Sequence, residues 1–387
     1  MKFISATLLL STAAIASAGE GHDDYVPKND VTKHSRVALD TIEISALIDA
    51  GNSTAALDIY ANGRNSEGKN LQSMAQKDWV EAGIDDITEY NDAAALFYRD
   101  GAHFLDSYNR DAMTCTGSFA GQTEDMCKIS AKKNLLCTSL LYAQYEGVKA
   151  IQYGNEKNWD EMFAFWNGVY DESDENAGKG APGDVQSSRD GDFSTEFRHE
   201  ALDAIIEGQK AFSDGAYNKE KLTAAYEDFK KAVLSTFAQA TLKYSAQFDE
   251  AGLTQDKIDK KWGEGYTYFR CGAGLMNPEL ALYINYVLDP RDKLGMTLTP
   301  METHCKIVKK MLSLPDIGMG LKIEDLSVAA ALNIQESCGL ENLQHAEAPY
   351  SAKKSESERA YLPVIGFLVV IGMYVGGYYA TKKNHQD

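Results

Sequence analysis

Strand-like alternation of apolar and polar residues is missing from this 387-residue chain, which argues against a sheet. Basic residues are also in short supply. The 38 Lys and Arg face 57 Asp and Glu, and a formal charge of −19 repels nucleic acid and anionic lipid surfaces. No two cysteines stand at C-x-x-C spacing, so a thiolate zinc site is not expected. A nucleophile elbow, a P-loop, a GxGxxG fingerprint and an HExxH helix are all lacking; His199-Glu200-x-x-Asp203 resembles a zinc-peptidase helix but has no second His. The chain is therefore not expected to be an enzyme. What it does have is enough apolar residue, 44%, to build a real core.

Both ends carry addressing signals. Lys2, the apolar stretch Phe3–Ile15 and the small residues Ala16-Ser17-Ala18 form a cleavable secretory signal over residues 1–18, so the mature chain should begin near Gly19. Residues 361–380 contain no charged side chain, and about 20 apolar residues cross the ~30 Å of hydrocarbon in a bilayer. The expected layout is an exported ectodomain (19–340), a polar stalk (341–360), one transmembrane helix (361–380) and a cytoplasmic tail (381–387). A lipid-anchor signal is the competing reading, but it normally ends in its apolar segment, and here Lys382-Lys383-Asn384-His385-Gln386-Asp387 follows. Gly372 and Gly376 make a small-xxx-small step compatible with a homo-oligomer.

Apolar residues recur at spacings of three and four through most of the ectodomain, as in Val37, Leu39, Ile42, Ile44 and Leu47, which predicts an all-α fold. The polar run 171–192 reads as a loop between helical halves at about 35–170 and 193–340. A repeated K-x-W-x-E segment occurs at Lys77–Glu81, Lys157–Glu161 and Lys260–Glu264, and the last two copies continue into Phe163/Tyr266, Phe165/Tyr268 and Trp166/Phe269. A duplicated helical bundle is the simplest source of that pattern. Six cysteines in an oxidising compartment should form three disulfides, and proximity favours Cys115 with Cys127, Cys305 with Cys338, and Cys137 with Cys271. Asn52-Ser53-Thr54 is a glycosylation sequon, expected at the surface.

Three sets of residues have metal-binding chemistry. Glu196, His199, Glu200 and Asp203 can share one helix face and offer oxygen and imidazole donors; the plain alternative is a solvated acidic face. Tyr98, His103, Asp106 and Tyr108 fall on a helix expected from about Asp92 to Asp111, where aromatics can equally be core. Glu161 and Glu264, with Tyr266 and Tyr268, occupy the repeat, where each Glu can instead pair with the Lys four residues before it.

Taken with the segment Ala56–Ser66 (ALDIYANGRNS), the repeat, the acidic helical ectodomain and the single C-terminal span, the chain resembles the phytotransferrins. These are iron-starvation-induced surface proteins of diatoms, similar to algal iron-assimilation proteins. The resemblance spans roughly Ser35 to Gly339. It implies ferric-iron capture at the plasma membrane with carbonate as a synergistic anion, then internalisation to endosomes with an endocytic or reductase partner and release on acidification. Arg198 beside His199, or Arg270 beside Tyr268, would hold the anion. A cell-surface adhesion scaffold and an imelysin-like helical protein are the alternative readings.

Overall fold

Long helices form where good caps bracket apolar periodicity. The computed structural model of the protein describes residues 25–340 apart from 86–87, 98–102, 172, 250–251, 290–298 and 333. Its α-helices are α1 (Thr32–Ser35), α2 (Val37–Asp49), α3 (Ser53–Asn62), α4 (Leu71–Ala75), α5 (Thr88–Leu96), α6 (Phe104–Thr114), α7 (Glu124–Tyr153), α8 (Glu156–Asn167), α9 (Pro182–Phe193), α10 (Phe197–Gln209), α11 (Lys219–Ala246), α12 (Gln255–Gly272), α13 (Pro278–Leu288), α14 (Pro300–Leu312), α15 (Val328–Ala331) and α16 (Ile334–Ser337). Among the described residues there is no strand, only an isolated bridge between Gly318 and Leu321. The all-α expectation holds.

The two longest helices each start on a side-chain cap. The Thr123 hydroxyl accepts the Met126 N–H at 3.4 Å to open α7, and the Asn218 side chain accepts the Lys221 N–H at 2.9 Å to open α11. Gly154 ends α7 in the left-handed region, which lets the chain turn straight into α8. Helix α11 is buried over most of its length and lies against α10 and α12, while α7 packs on α8 and α12.

Two tryptophans fix that arrangement. The Trp159 indole N–H of α8 donates to the Ile205 carbonyl of α10 at 2.9 Å, and that of Trp262 in α12 donates to the Leu288 carbonyl of α13 at 2.6 Å. Each of the two longest helices, α7 and α11, is thus followed by a helix whose tryptophan is anchored to a later one, α8 to α10 and α12 to α13. The third K-x-W-x-E copy has no such helix: Trp79 sits in a turn following α4, where it stacks with Tyr90 at 5.4 Å.

All three expected disulfides are present, Cys115–Cys127, Cys137–Cys271 and Cys305–Cys338. The second joins α7 to α12, so the segments 35–170 and 193–340 interleave within one compact unit. Asn52 is exposed and caps α3, accepting the Ala55 N–H at 3.2 Å.

Two local expectations need correction. The segment 171–192 is a connector only up to about Ala181; α9 follows, because Pro182 starts a helix well and Val185, Gln186, Arg189 and Phe193 bury one face at helical spacing. The helix expected from Asp92 to Asp111 is two, α5 and α6. The segment Ala56–Ser66 is architectural: Asp40 accepts the Arg64 and Asn65 N–H groups at 3.1 and 2.7 Å, and Ser66 hydrogen-bonds its other oxygen. The signal at 1–18, the stalk at 341–360, the span at 361–380, the tail at 381–387 and Tyr98 lie outside the described residues. Among the described residues no helix is long and apolar enough to cross a membrane.

Candidate metal centre

Among the described residues no group of three or more His, Cys, Asp and Glu side chains stands where it could hold a metal ion. Tyrosine, whose phenolate suits a hard cation, is a donor outside that count. The repeat supplies two neighbourhoods that contain it.

The first is built by α1, α7 and α8. His34 Nε2 lies 3.3 Å from Glu161 Oε1, with both residues buried at 7% and 8% exposure. Neither ring nitrogen of His34 has a hydrogen-bond partner. Phe165 packs edge-on against both the His34 ring, at 5.4 Å between centroids, and the Tyr142 ring, at 5.0 Å. Glu146, one turn along α7 from Tyr142, is held at Oε2 by Lys149 at 2.8 Å and the Asn158 side chain at 2.7 Å. Lys157 Nζ approaches Glu161 Oε1 to 3.6 Å, the i,i+4 pair expected from the repeat. Burial shapes the acid–base behaviour here: it pushes His34 below its usual range against the pull of Glu161, and pushes Glu146 and the Tyr142 phenol up. Burial thus opposes ionisation of Glu146 and of the Tyr142 phenol, and a nearby cation would favour it.

The second neighbourhood lies between α9, α11 and α12 and contains Tyr244, Glu264, Tyr268 and Arg189. The Tyr244 and Tyr268 rings stack at 5.4 Å, and the Arg189 guanidinium sits 5.6 Å from the Tyr244 ring centre. Glu264 pairs with Lys261 at 3.7 Å, three residues back instead of four.

The remaining expected residues are placed otherwise. Glu196 precedes α10, and Glu196, Glu200 and Asp203 are exposed while His199 is half-buried; burial and then the surrounding acids raise the Glu200 carboxyl. This is an outward acidic face. His103 is exposed ahead of α6, and Asp106 accepts the Tyr60 hydroxyl at 2.9 Å and the Gln76 amide at 2.7 Å, so its two oxygens are engaged in holding α3, α4 and α6 together. Tyr108 is core, its hydroxyl 3.0 Å from that of Thr267. Tyr266 reaches Asn285 and Asp289 at 3.1 and 3.0 Å, pointing away from Tyr268 and joining α12 to α13.

Neither expected anion-binding arginine joins a neighbourhood. Arg198 lies 5.2 Å from the Trp166 ring centre and donates to Asn167 at 2.9 Å, tying α10 to the end of α8. Arg270 lies between Phe97 and Tyr108, 3.9 and 4.0 Å from their ring centres.

His34, Tyr142, Glu146, Arg189 and Tyr244 were not legible as site residues one at a time. Extending the repeat upstream would not have paired the two tyrosines: the offset of 103 residues that matches Glu161 with Glu264 sets Tyr142 against Ser245.

Residues 3–188, just under half of the chain, match the family model of Fea1, the low iron-inducible periplasmic protein. The match supports a relationship to an iron-starvation-induced family and does not single out phytotransferrins. No curated protein and no solved structure matches the chain.

Proposed function

We propose that this chain is a non-enzymatic ferric-iron-binding protein of the cell surface, made under iron limitation, whose donors are His34, Tyr142 and Glu161 with Glu146 behind them. The observation that supports the reading is that a buried imidazole 3.3 Å from a buried carboxylate, with a phenol packed on the same Phe165 ring as the imidazole, comes from α1, α7 and α8, which all fall inside the segment that matches the low iron-inducible family. A ferric ion favours this set because it replaces the proton on the phenol and the weak ion pair at Glu161 with stronger bonds to oxygen. Carbonate, which the resemblance to phytotransferrins implies, would complete the coordination, and internalisation to an acidic compartment would return protons to the ligands and free the iron. An exported ectodomain tethered through residues 361–380 puts the donors outside the cell, where ferric iron is met.

Titration of the full-length purified chain with ferric nitrilotriacetate at neutral pH, with and without bicarbonate, tests this. Bound iron should withstand a competing chelator, and the His34→Ala/Glu161→Gln variant should hold it roughly 10–100-fold less tightly. Absence of bound iron in the parent would favour a surface adhesion scaffold, and equal affinity in parent and variant would remove the ion from this place.

A further inference from the structure

Nothing reaches His34 and Glu161 unless part of the chain moves aside, for the two are 7% and 8% exposed. The helices beside them are firmly tied: α8 to α10 through Trp159, and α7 to α12 through the Cys137–Cys271 disulfide. The segment that leads into α1 is held differently. Residues 25–31 form no helix or strand, and four of their hydrogen bonds converge on one side chain. Asp160, on α8 and fully buried, accepts the Tyr25 hydroxyl with Oδ1. With Oδ2 it accepts the Lys28 N–H, the Asn29 N–H and the Asn29 side-chain amide at 3.1, 2.8 and 2.7 Å. Around this point Lys28 pairs with Glu156 at 3.2 Å, Gln209 of α10 donates to the Val26 carbonyl at 3.0 Å, and the Tyr25 ring lies 4.4 Å from that of Phe163.

What this segment carries is α1. That helix is a single turn whose N-cap, Val31, makes no side-chain cap bond. One turn cannot stabilise itself, so its place is set by the segments on either side. The His34 and Ser35 N–H groups both donate to the Val31 carbonyl, at 2.9 and 3.0 Å, which passes the position of residues 25–31 on to the imidazole. The carboxylate that holds the segment and the one that faces His34 are neighbours in sequence, Asp160 and Glu161.

We propose that residues 25–31 are a clasp, latched on Asp160, which sets His34 against Glu161 when shut and admits the ion when open. This deepens the function proposed above, on which the nature of the ion rests. Asp160 is a positioning residue: its charge-assisted hydrogen bonds stabilise the shut form, and it acts on the site through the clasp and α1. Because the ion enters and leaves by one opening, a weaker latch raises both rates and alters affinity less, so long as the shut form stays dominant.

Diethyl pyrocarbonate treatment of the iron-free, full-length protein at neutral pH tests the clasp without any ion. Modification of His34 is followed by peptide mass spectrometry beside that of His103, which is exposed, and of His304, which is buried on α14 and reports global unfolding. In Asp160→Asn, His34 should react roughly tenfold faster than in the parent, with His103 and His304 unchanged. Tyr25→Phe keeps the ring on Phe163 and removes one hydrogen bond; it should give about a threefold rise, and it decides the matter if Asp160→Asn does not fold. Loading from ferric nitrilotriacetate and release to a chelator should quicken in the same order, with affinity changed less than about threefold. His34 reactivity that stays at the parent's rate in both variants, or rises only in step with His304, would overturn the inference. So would faster reaction of His34 with unchanged iron exchange, since the ion then enters elsewhere. A parent that takes up no iron defeats the function proposed above, and the reactivity of His34 then still decides whether the clasp governs access to that residue.

Discussion

Lys157 and His34 compete for one oxygen of Glu161, standing 3.6 and 3.3 Å from it. The lysine is half in solvent and the imidazole is buried, so the contest is between a screened ammonium and a ring whose charged form burial disfavours. A ferric ion arriving at Glu161 has to displace the ammonium or share the carboxylate with it. Lys157→Gln should therefore tighten ferric binding, by up to about fivefold, the scale of a half-exposed ion pair. Isothermal titration against a competing chelator measures it. Weaker binding would mean that Lys157 holds Glu161 in its working geometry.

The outward face of α10 gives the opposite expectation. Glu196, Glu200 and Asp203 are exposed and no group of donors converges on them among the described residues. Exchanging all three for Gln, Gln and Asn should change ferric affinity less than about twofold, the residual effect of diffuse charge screened by salt. A larger loss would move the site to this helix and away from His34.

How much of this was readable from the chain follows from the range of the interactions involved. Helices came through because cap, periodicity and terminator are local: Thr123, the apolar series of α7 and Gly154 all lie within one segment. The disulfides came through because six cysteines offered sensible neighbours. Helix α9 did not, since its buried face is Val185, Gln186, Arg189 and Phe193 and only two of those look apolar. The site residues were hardest. Glu161 and Glu264 were marked by the repeat, but His34 lies far from them along the chain and is brought in by α1. Arg189 stood in a run that read as loop. Conversely, His199 sat beside three acids and looked like a ligand, whereas that local density is what an exposed helix face also shows.

Close approach of α10 to α8 at one glycine gives a stability test. A Cβ at Gly208 would stand 2.1 Å from Trp159 Cζ2, well inside contact, and Trp159 is fully buried with its N–H committed to Ile205. Gly208→Ala should destabilise the protein by at least about 1–3 kcal/mol through overpacking. Gly191, helical in α9 with nothing near its Cβ position, is the control: Gly191→Ala should stabilise by about 0.5–1 kcal/mol. Urea midpoints of the two variants should lie on opposite sides of the parent's. If both fall, α9 is not the helix described.

Acid sensitivity should have a source outside the His34 site. His304 on α14 is 1% exposed, its Nδ1 lies 2.8 Å from the Ser245 hydroxyl, and its Nε2 has no partner. Burial pushes its pKa down to about 4. In the unfolded chain the ring titrates near ~6.5. Since protonation then favours the unfolded state, the neutral ring's contribution is complete above about pH 6.5 and is lost as pH falls through the folded value. Over that interval the difference amounts to about 3 kcal/mol. Iron-free protein should thus lose urea stability between pH 6.5 and pH 4 by more than a His304→Asn variant does, the variant keeping a polar atom toward Ser245 without titrating. Subtracting one pH profile from the other removes the contribution of the remaining carboxylates and histidines. Parallel profiles would mean that the ring is protonated already in the folded protein, with water or a carboxylate reaching Nε2.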